Sequence, residues 1–179
     1  MLKPETTSWV GTWTTTPAPT AGIMLNGQTV RMIARVSIGG ETIGAIGAGL
    51  LVLLGVGRED SPDDTAYIVD KITNLRIFPD SDGRFDRSVL DVNRSLLVVS
   101  QFTLYADTRR GRRPSFTGAA SPEQAGAQFA DAVERFRATG LTVETGRFQA
   151  MMDVSLVNNG PVTIWIDSAD RHRPHKADA

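Results

Sequence analysis

Side chains at 100–103, 109–113 and 159–161 have the types and spacing that chemistry needs. In the first group, Ser100, Gln101 and Thr103 follow the apolar run LLVV, within SQFTL at 100–104. Read as one strand over 96–104, the alternation sends Gln101 and Thr103 to one face and Phe102 and Leu104 to the other. An amide beside a hydroxyl at the end of a core strand is a candidate reaction site. The second group, Arg109, Arg110, Arg112 and Arg113, places four guanidinium groups in five positions. That density beside a polar pair points to chemistry next to a polyanion. The third group, Asn159, Gly160 and Pro161 in NNGPVT at 158–163, links two apolar runs. Plainer readings stand beside these: surface side chains on a strand, a solvated basic loop, and a turn.

The composition narrows the chemistry. The chain has 179 residues, 41% apolar and 22% charged, with a net charge of -1. That is enough for one domain with a core, and the balance exerts no global pull on nucleic acid, so such binding must come from a local patch. With no cysteine, disulfides, thiolate zinc sites and cysteine nucleophiles are excluded together. His172 and His175 both fall in the polar end RHRPHKADA, so a Ser-His-Asp or His-metal site inside the core is not expected. The longest apolar run, 44–57, is glycine-broken and shorter than the roughly 20 residues a spanning helix needs. No basic segment followed by an apolar stretch opens the sequence, so a secretory signal is not expected.

The elements that would position these residues follow from periodicity. Residues 1–25 are Thr-rich, contain Trp9 and Trp13, and show no clear period. They read as an atypical, poorly ordered extension. WVGTW resembles the mature start of some GDSL-type hydrolases, but their nucleophile motif is absent. Alternation over 30–38 predicts a half-buried strand, Gly39-Gly40 a tight hairpin turn, and 41–46 the returning strand. Residues 50–54 predict a fully buried strand. Ser61-Pro62-Asp63-Asp64 and Ser121-Pro122-Glu123-Gln124 each carry the grammar of a helix start: N-cap hydroxyl, first-turn proline, acid at the positive dipole end. The turn 79–83 holds two acids, fewer oxygen ligands than a metal loop wants. Short strands are predicted at 142–144, 152–157 and 162–166. The sum is a single α/β domain over 26–168. It has a mixed, largely antiparallel sheet or partial barrel of about five to six strands with two long helices. A polar tail occupies 169–179.

Taken together, GAIGAGLLVLLGV, KITNLRIF, RSVLDV, LLVVSQFTLYADTRRGRRPSF, VETGRF and VSLVNNGPVTIWIDS resemble the D-aminoacyl-tRNA deacylases. The likeness runs from about residue 34 to residue 168, with its two motifs in the family's order. It implies a cytoplasmic homodimer that hydrolyses the ester between a D-amino acid and the 3′-terminal ribose of tRNA, glycyl-tRNA being a further substrate. It implies no metal and no organic cofactor, and a partner that is aminoacylated tRNA, met at its 3′-terminal adenosine and acceptor stem, with no membrane.

The resemblance also implies roles. Gly160-Pro161 would be a cis peptide that aims two backbone carbonyls at the substrate's α-ammonium and crowds the place of an L side chain. That hook, with Asn159 beside it, would reach into the partner subunit's pocket. Backbone N–H groups around Gln101 and Phe102 suit an oxyanion. Thr103 has two readings, a nucleophile or a positioning group for water assisted by the ribose 2′-hydroxyl. Phe102 either packs on the terminal adenine or fills the core. Arg109, Arg110, Arg112 and Arg113 would meet acceptor-stem phosphates. The chain also departs from the pattern. The family's opening Q-R-V is met only by Gln28-Thr29-Val30, and its bracing arginine has only Arg31 or Arg35 as replacements. Gln149 stands where the family commonly has glycine. A catalytically impaired tRNA-binding relative is therefore the alternative reading.

Overall fold

A computed structural model describes residues 22–26, 34–158 and 162–173. Its centre is two adjacent apolar strands, β4 (Gly49–Leu54) and β7 (Ser95–Ser100). They pair in parallel, Leu50 opposite Leu96 through Leu54 opposite Ser100. Both runs are continuously apolar because both faces of the pair are covered. Leu50, Val52, Leu54, Leu96 and Val98 face the helices, while Leu51, Leu97 and Val99 face a second sheet.

The helical layer consists of α1 (Pro62–Asn74) and α2 (Pro122–Ala138). At the start of α1 the Ser61 N–H and hydroxyl both donate to Asp64 Oδ2, at 2.9 and 2.6 Å. At α2 the Ser121 Oγ accepts from the Gln124 N–H at 3.3 Å. Each device satisfies polar groups that a helix end leaves open. Ile68, Ile72, Phe129, Val133 and Phe136 then pack onto the sheet.

The central sheet is completed by β1 (Gly22–Asn26), β8 (Val143–Thr145) and β10 (Thr163–Asp167), in the order β10-β1-β4-β7-β8. The pairs β4–β7 and β7–β8 are parallel, β1–β4 and β1–β10 antiparallel. The second sheet is antiparallel: β3 (Glu41–Ile46), β2 (Ala34–Ile38) and β9 (Asp153–Ser155). Gly39 and Gly40, both at positive φ, turn the chain between β2 and β3. A small ribbon joins β5 (Phe78–Pro79) to β6 (Phe85–Arg87). The sheets stay open, and antiparallel pairings outnumber parallel ones, so the expected mixed α/β architecture with two long helices is the one observed.

Several boundaries differ from the sequence reading. The strand predicted to run to 104 stops at Ser100, and Phe102–Tyr105 is a 3-10 turn. The alternation of Gln101 and Thr103 against Phe102 and Leu104 is lost with it. The predicted strand 152–157 contracts to Asp153–Ser155. Of the strand predicted over 30–38, residues 34–38 are described. Residues 22–25, placed with the extension, belong to β1; residues 1–21 lie outside the described residues. Ser168–His172 forms a further 3-10 turn that reaches α1: Arg171 donates to the Asp63 carbonyl at 2.9 Å and pairs with Asp64 at 3.1 Å. Of the two acids in the 79–83 turn, Asp80 serves the backbone, its Oδ1 accepting from the Asp82 and Arg84 N–H groups at 2.9 Å each.

Gln149 has φ 60°, a left-handed conformation that costs an L residue roughly 1–2 kcal/mol. A glycine there loses about 0.5–1 kcal/mol of that advantage through unfolded-state entropy. Gln149→Gly is therefore expected to leave stability unchanged or raise it by up to about 1 kcal/mol, read from the urea midpoint. A comparable loss would show that the Gln149 side chain is needed.

Candidate functional site

The site begins where β7 leaves the sheet. Past Ser100, the Gln101 N–H donates to the Leu54 carbonyl at 2.8 Å, extending the parallel ladder by one bond. The chain then bends into the 3-10 turn. Leu104 N–H returns to the Gln101 carbonyl at 3.3 Å and Ala106 N–H to the Thr103 carbonyl at 3.1 Å. The N–H groups of Phe102 and Thr103 precede the turn's first internal bond and have no hydrogen-bond partner among the described residues. The sequence reading centred the free donors on Gln101 and Phe102. The Leu54 bond uses the Gln101 donor, so the available pair is Phe102 and Thr103.

The turn is anchored underneath and bare on top. Tyr105 is 5% exposed. Its ring lies so close to Gly55 that a Cβ there would sit 3.0 Å from Tyr105 Cε2, 3.2 Å from the Gln101 carbonyl oxygen and 3.3 Å from Leu104 Cβ. Above, Thr103 is exposed and its Oγ1 accepts from Gln101 Nε2. Phe102 is 57% exposed, so of its two readings the one that fills the core is overturned. Its ring meets Phe116 edge-on, with centroids 5.1 Å apart and planes at 71°.

The basic loop adjoins this turn. Asp107 and Ser115 exchange two backbone hydrogen bonds, 2.7 and 2.9 Å, that close residues 108–114 into a loop. Arg109 folds back on Asp107 with Nε to Oδ1 at 2.8 Å and a terminal nitrogen to Oδ2 at 2.6 Å. The Arg109 bonds hold the Asp107 carboxyl well below the usual carboxylate range. Arg110, Arg112 and Arg113 are exposed and have no ion-pair partner among the described residues. The four arginines of the sequence reading thus divide into one internal staple and three that stand exposed.

Asn159, Gly160 and Pro161 lie outside the described residues, as do Gln28-Thr29-Val30 and Arg31. Asn158 brackets the first group. Its Oδ1 accepts from the Val162 N–H at 3.1 Å, and its Nδ2 donates to Thr163 Oγ1 at 3.2 Å. Arg35 is exposed on β2. His172 lies in the turn beside α1, hydrogen-bonded at 2.7 Å with Arg171. Among the described residues no cluster of three or more His, Asp or Glu side chains could hold a metal ion, and no helix is long and apolar enough to cross a membrane.

Sequence reasoning missed Asp60, a loop acid with nothing in its surroundings to mark it. It is 7% exposed, and its Oδ2 accepts from the Gly57 N–H at 2.7 Å and the Tyr105 hydroxyl at 3.3 Å. Burial, with Asp64 and Asp167 nearby, pushes it up to about 7. Burial also pushes Asp64 up, but the Ser61 hydroxyl and N–H outweigh that and hold it below the usual range.

Fold and site define an open-sheet α/β domain that presents an exposed amide–hydroxyl pair and two free N–H groups beside a basic loop. The sequence profile of the family described as D-Tyr-tRNA(Tyr) deacylase matches residues 28–167. A protein of Desulfitobacterium hafniense named D-aminoacyl-tRNA deacylase is 58% identical over 135 residues, covering 75% of this chain and 91% of its own length. One of the same name from Desulforudis audaxviator is 56% identical over 133 residues, covering 74% and 89%. A solved structure titled c-Myc DNA Unwinding Element Binding Protein superposes with a TM-score of 0.75 at 38% identity, covering 82% of this chain and 97% of that one. This chain belongs to the D-Tyr-tRNA(Tyr) deacylase family.

The close approach at Gly55 has a direct consequence. Gly55→Ala should cost about 1–3 kcal/mol by overpacking. Gly47→Ala, where a Cβ meets nothing within 4 Å, should be near neutral; denaturant midpoints compare the two.

Asp60 makes a pH-dependent contribution of opposite sign to a paired carboxylate. Its proton leaves the unfolded chain near 3.8 and the folded chain near 7. Between those values the folded state binds more protons, so its stability falls as pH rises and levels off above the folded value. The Tm of the wild type minus that of Asp60→Asn should decline across this window; a flat difference would refute the assignment.

Proposed function

We propose that this chain hydrolyses the ester linking a D-amino acid to the 3′-terminal ribose of tRNA, releasing the free D-amino acid and tRNA, with glycyl-tRNA as a further substrate. The observation that carries the reading is the pair of N–H groups at Phe102 and Thr103, without partners among the described residues, set beside the exposed Thr103 hydroxyl and the exposed Arg110, Arg112 and Arg113, in a member of this family. Two neighbouring N–H donors suit the oxyanion that forms when water adds to the ester carbonyl. The carbonyl–oxygen bond to the ribose then breaks, and the ribose oxygen leaves with a proton.

Thr103 acts as a positioning group in this reading. Its oxygen already receives the Gln101 amide, so its own proton is left to donate, and among the described residues no imidazole or carboxylate is hydrogen-bonded to it to take that proton. Gln101 fixes the hydroxyl, and Ser100 carries the strand into the turn. Phe102, exposed and edge-on to Phe116, offers an apolar surface for the terminal adenine. Arg110, Arg112 and Arg113 neutralise acceptor-stem phosphates, and Arg109 shapes their loop. Gly160-Pro161, with Asn159, supplies the backbone hook that accepts a D-amino acid and rejects its mirror image. It acts across a homodimer in the cytoplasm.

Purified protein should deacylate D-Tyr-tRNA and spare L-Tyr-tRNA. Equal rates would sink the proposal, and salt-sensitive tRNA binding without cleavage would favour the impaired relative. Thr103→Val should lower kcat by about 10²-fold, whereas complete loss, with an acyl-enzyme burst in the wild type, would make Thr103 the nucleophile. Replacing Arg110, Arg112 and Arg113 by alanine should reduce the slope of log K against log salt by about 0.7–0.9 per arginine. Arg109→Ala alone should change it less.

A further inference from the structure

Beneath the reaction turn lies a buried carboxylic acid with no part in the reading above. Asp60 cannot swing away from its place. Its backbone carbonyl accepts from Gln124 Nε2 at 3.3 Å and Gln128 Nε2 at 2.7 Å, and its Oδ2 holds the Gly57 N–H and the Tyr105 hydroxyl. Its Oδ1 is buried without a partner among the described residues. It borders a cavity of about 10 Å³ whose lining includes Leu54, Gly55, Asp64, Thr65 and Gln128. A proton added to Asp60 therefore goes to Oδ1, since Oδ2 already receives two donors.

We propose that Asp60 is a positioning residue for the reaction turn: it holds Tyr105, and with it residues 102–105, through a hydrogen bond whose strength changes as the carboxyl gains and loses a proton. Ionised, Asp60 makes charge-assisted bonds to Gly57 and Tyr105, roughly twice as strong as those of the neutral acid. The groups facing it leave both forms accessible near neutrality. Asp64 on α1 and Asp167 at the end of β10 raise it. Arg171 pairs with Asp64 rather than with Asp60. Tyr105 remains a donor to Asp60, because burial and the Asp60 charge keep its hydroxyl protonated. Tyr105 is confined between Asp60 and Gly55, so a change in its hydrogen bond is transmitted along a turn of four residues to Phe102 and Thr103.

The consequence for catalysis rests on the proposed deacylase activity; the coupling itself does not, and the two are read separately. Without substrate, the backbone amide NMR signals of Phe102 and Thr103 should titrate with a midpoint near 7. The step should vanish in Asp60→Asn, which keeps the shape and both acceptor bonds, and shrink in Tyr105→Phe, which keeps the ring. No step, or an undiminished step in Asp60→Asn, overturns the proposal. With D-Tyr-tRNA, and with spontaneous ester loss subtracted, kcat should rise through the same midpoint at constant KM. Asp60→Asn should lack that rise and sit about fivefold below the wild-type plateau. An amide step without any deacylation refutes the activity and supports the coupling. Deacylation with identical kcat profiles in wild type and Asp60→Asn refutes the coupling and keeps the activity.

Discussion

The structure depends on the parallel pairing of β4 with β7 and on its continuation by one bond. A buried backbone group must find a partner. Inside the sheet the ladder provides it, with Leu50, Val52, Leu96 and Val98 wholly buried on one face and Leu97 and Val99 on the other. At roughly 1.5–3 kcal/mol for each large side chain buried, this pair contributes a large share of the core's stabilisation. The Gln101 N–H then reaches the Leu54 carbonyl beyond the last strand residue. That bond fixes where the polar segment leaves the sheet, and hence which N–H groups are committed and which are left open.

The turn that follows divides the labour between two surfaces. Its lower side is apolar and close-packed, Tyr105 wedged against Gly55 and Leu104 half-buried. Its upper side carries Phe102 and Thr103 in solvent. The basic loop repeats the scheme with charge: Asp107 and Arg109 neutralise each other at the base, and the other three arginines stand outward. A chain with net charge -1 can thus present a positive edge, because exposed charges farther apart than about 8–10 Å are screened from one another. The local cluster, not the total, sets what a ligand at the turn encounters.

The parts legible in the sequence are those specified by local pattern. Residues 50–54 and 96–99 are unbroken apolar runs, as a strand covered on both faces requires. Ser61-Pro62 and Ser121-Pro122 announce the helices through donors and acceptors only a few residues apart. The hairpin at Gly39-Gly40 needs only its own backbone angles. The end of β7 was not legible, because S-Q-F-T-L alternates well enough to continue a strand. What turns the chain there comes from elsewhere: the missing side chain at Gly55 and the carboxyl of Asp60, both far from Tyr105 in sequence. The core-filling reading of Phe102 fails for the same reason, since burial there followed from a strand that had already ended. The division of the arginines was invisible too, as it rests on the Asp107–Ser115 closure. The family motifs named the neighbourhood of the site; the non-local contacts decide its donors.

Those donors have one character in common. Phe102 N–H, Thr103 N–H, the proton of the Thr103 hydroxyl and the three exposed guanidinium groups all offer hydrogen to an incoming oxygen. The Gln101 amide donates as well, into Thr103. Among the described residues of this turn and loop the carboxylate, Asp107, is occupied by Arg109, and His172 sits with Arg171 beside α1. Such an arrangement is complementary to developing negative charge and poorly suited to withdrawing a proton. If this site cleaves an ester, its contribution is electrostatic, and the proton acceptor comes from water or from the substrate's own hydroxyl. A site of that kind depends on the placement of its donors to within fractions of an ångström, which is why the buried contacts of Tyr105 bear on chemistry at the exposed face.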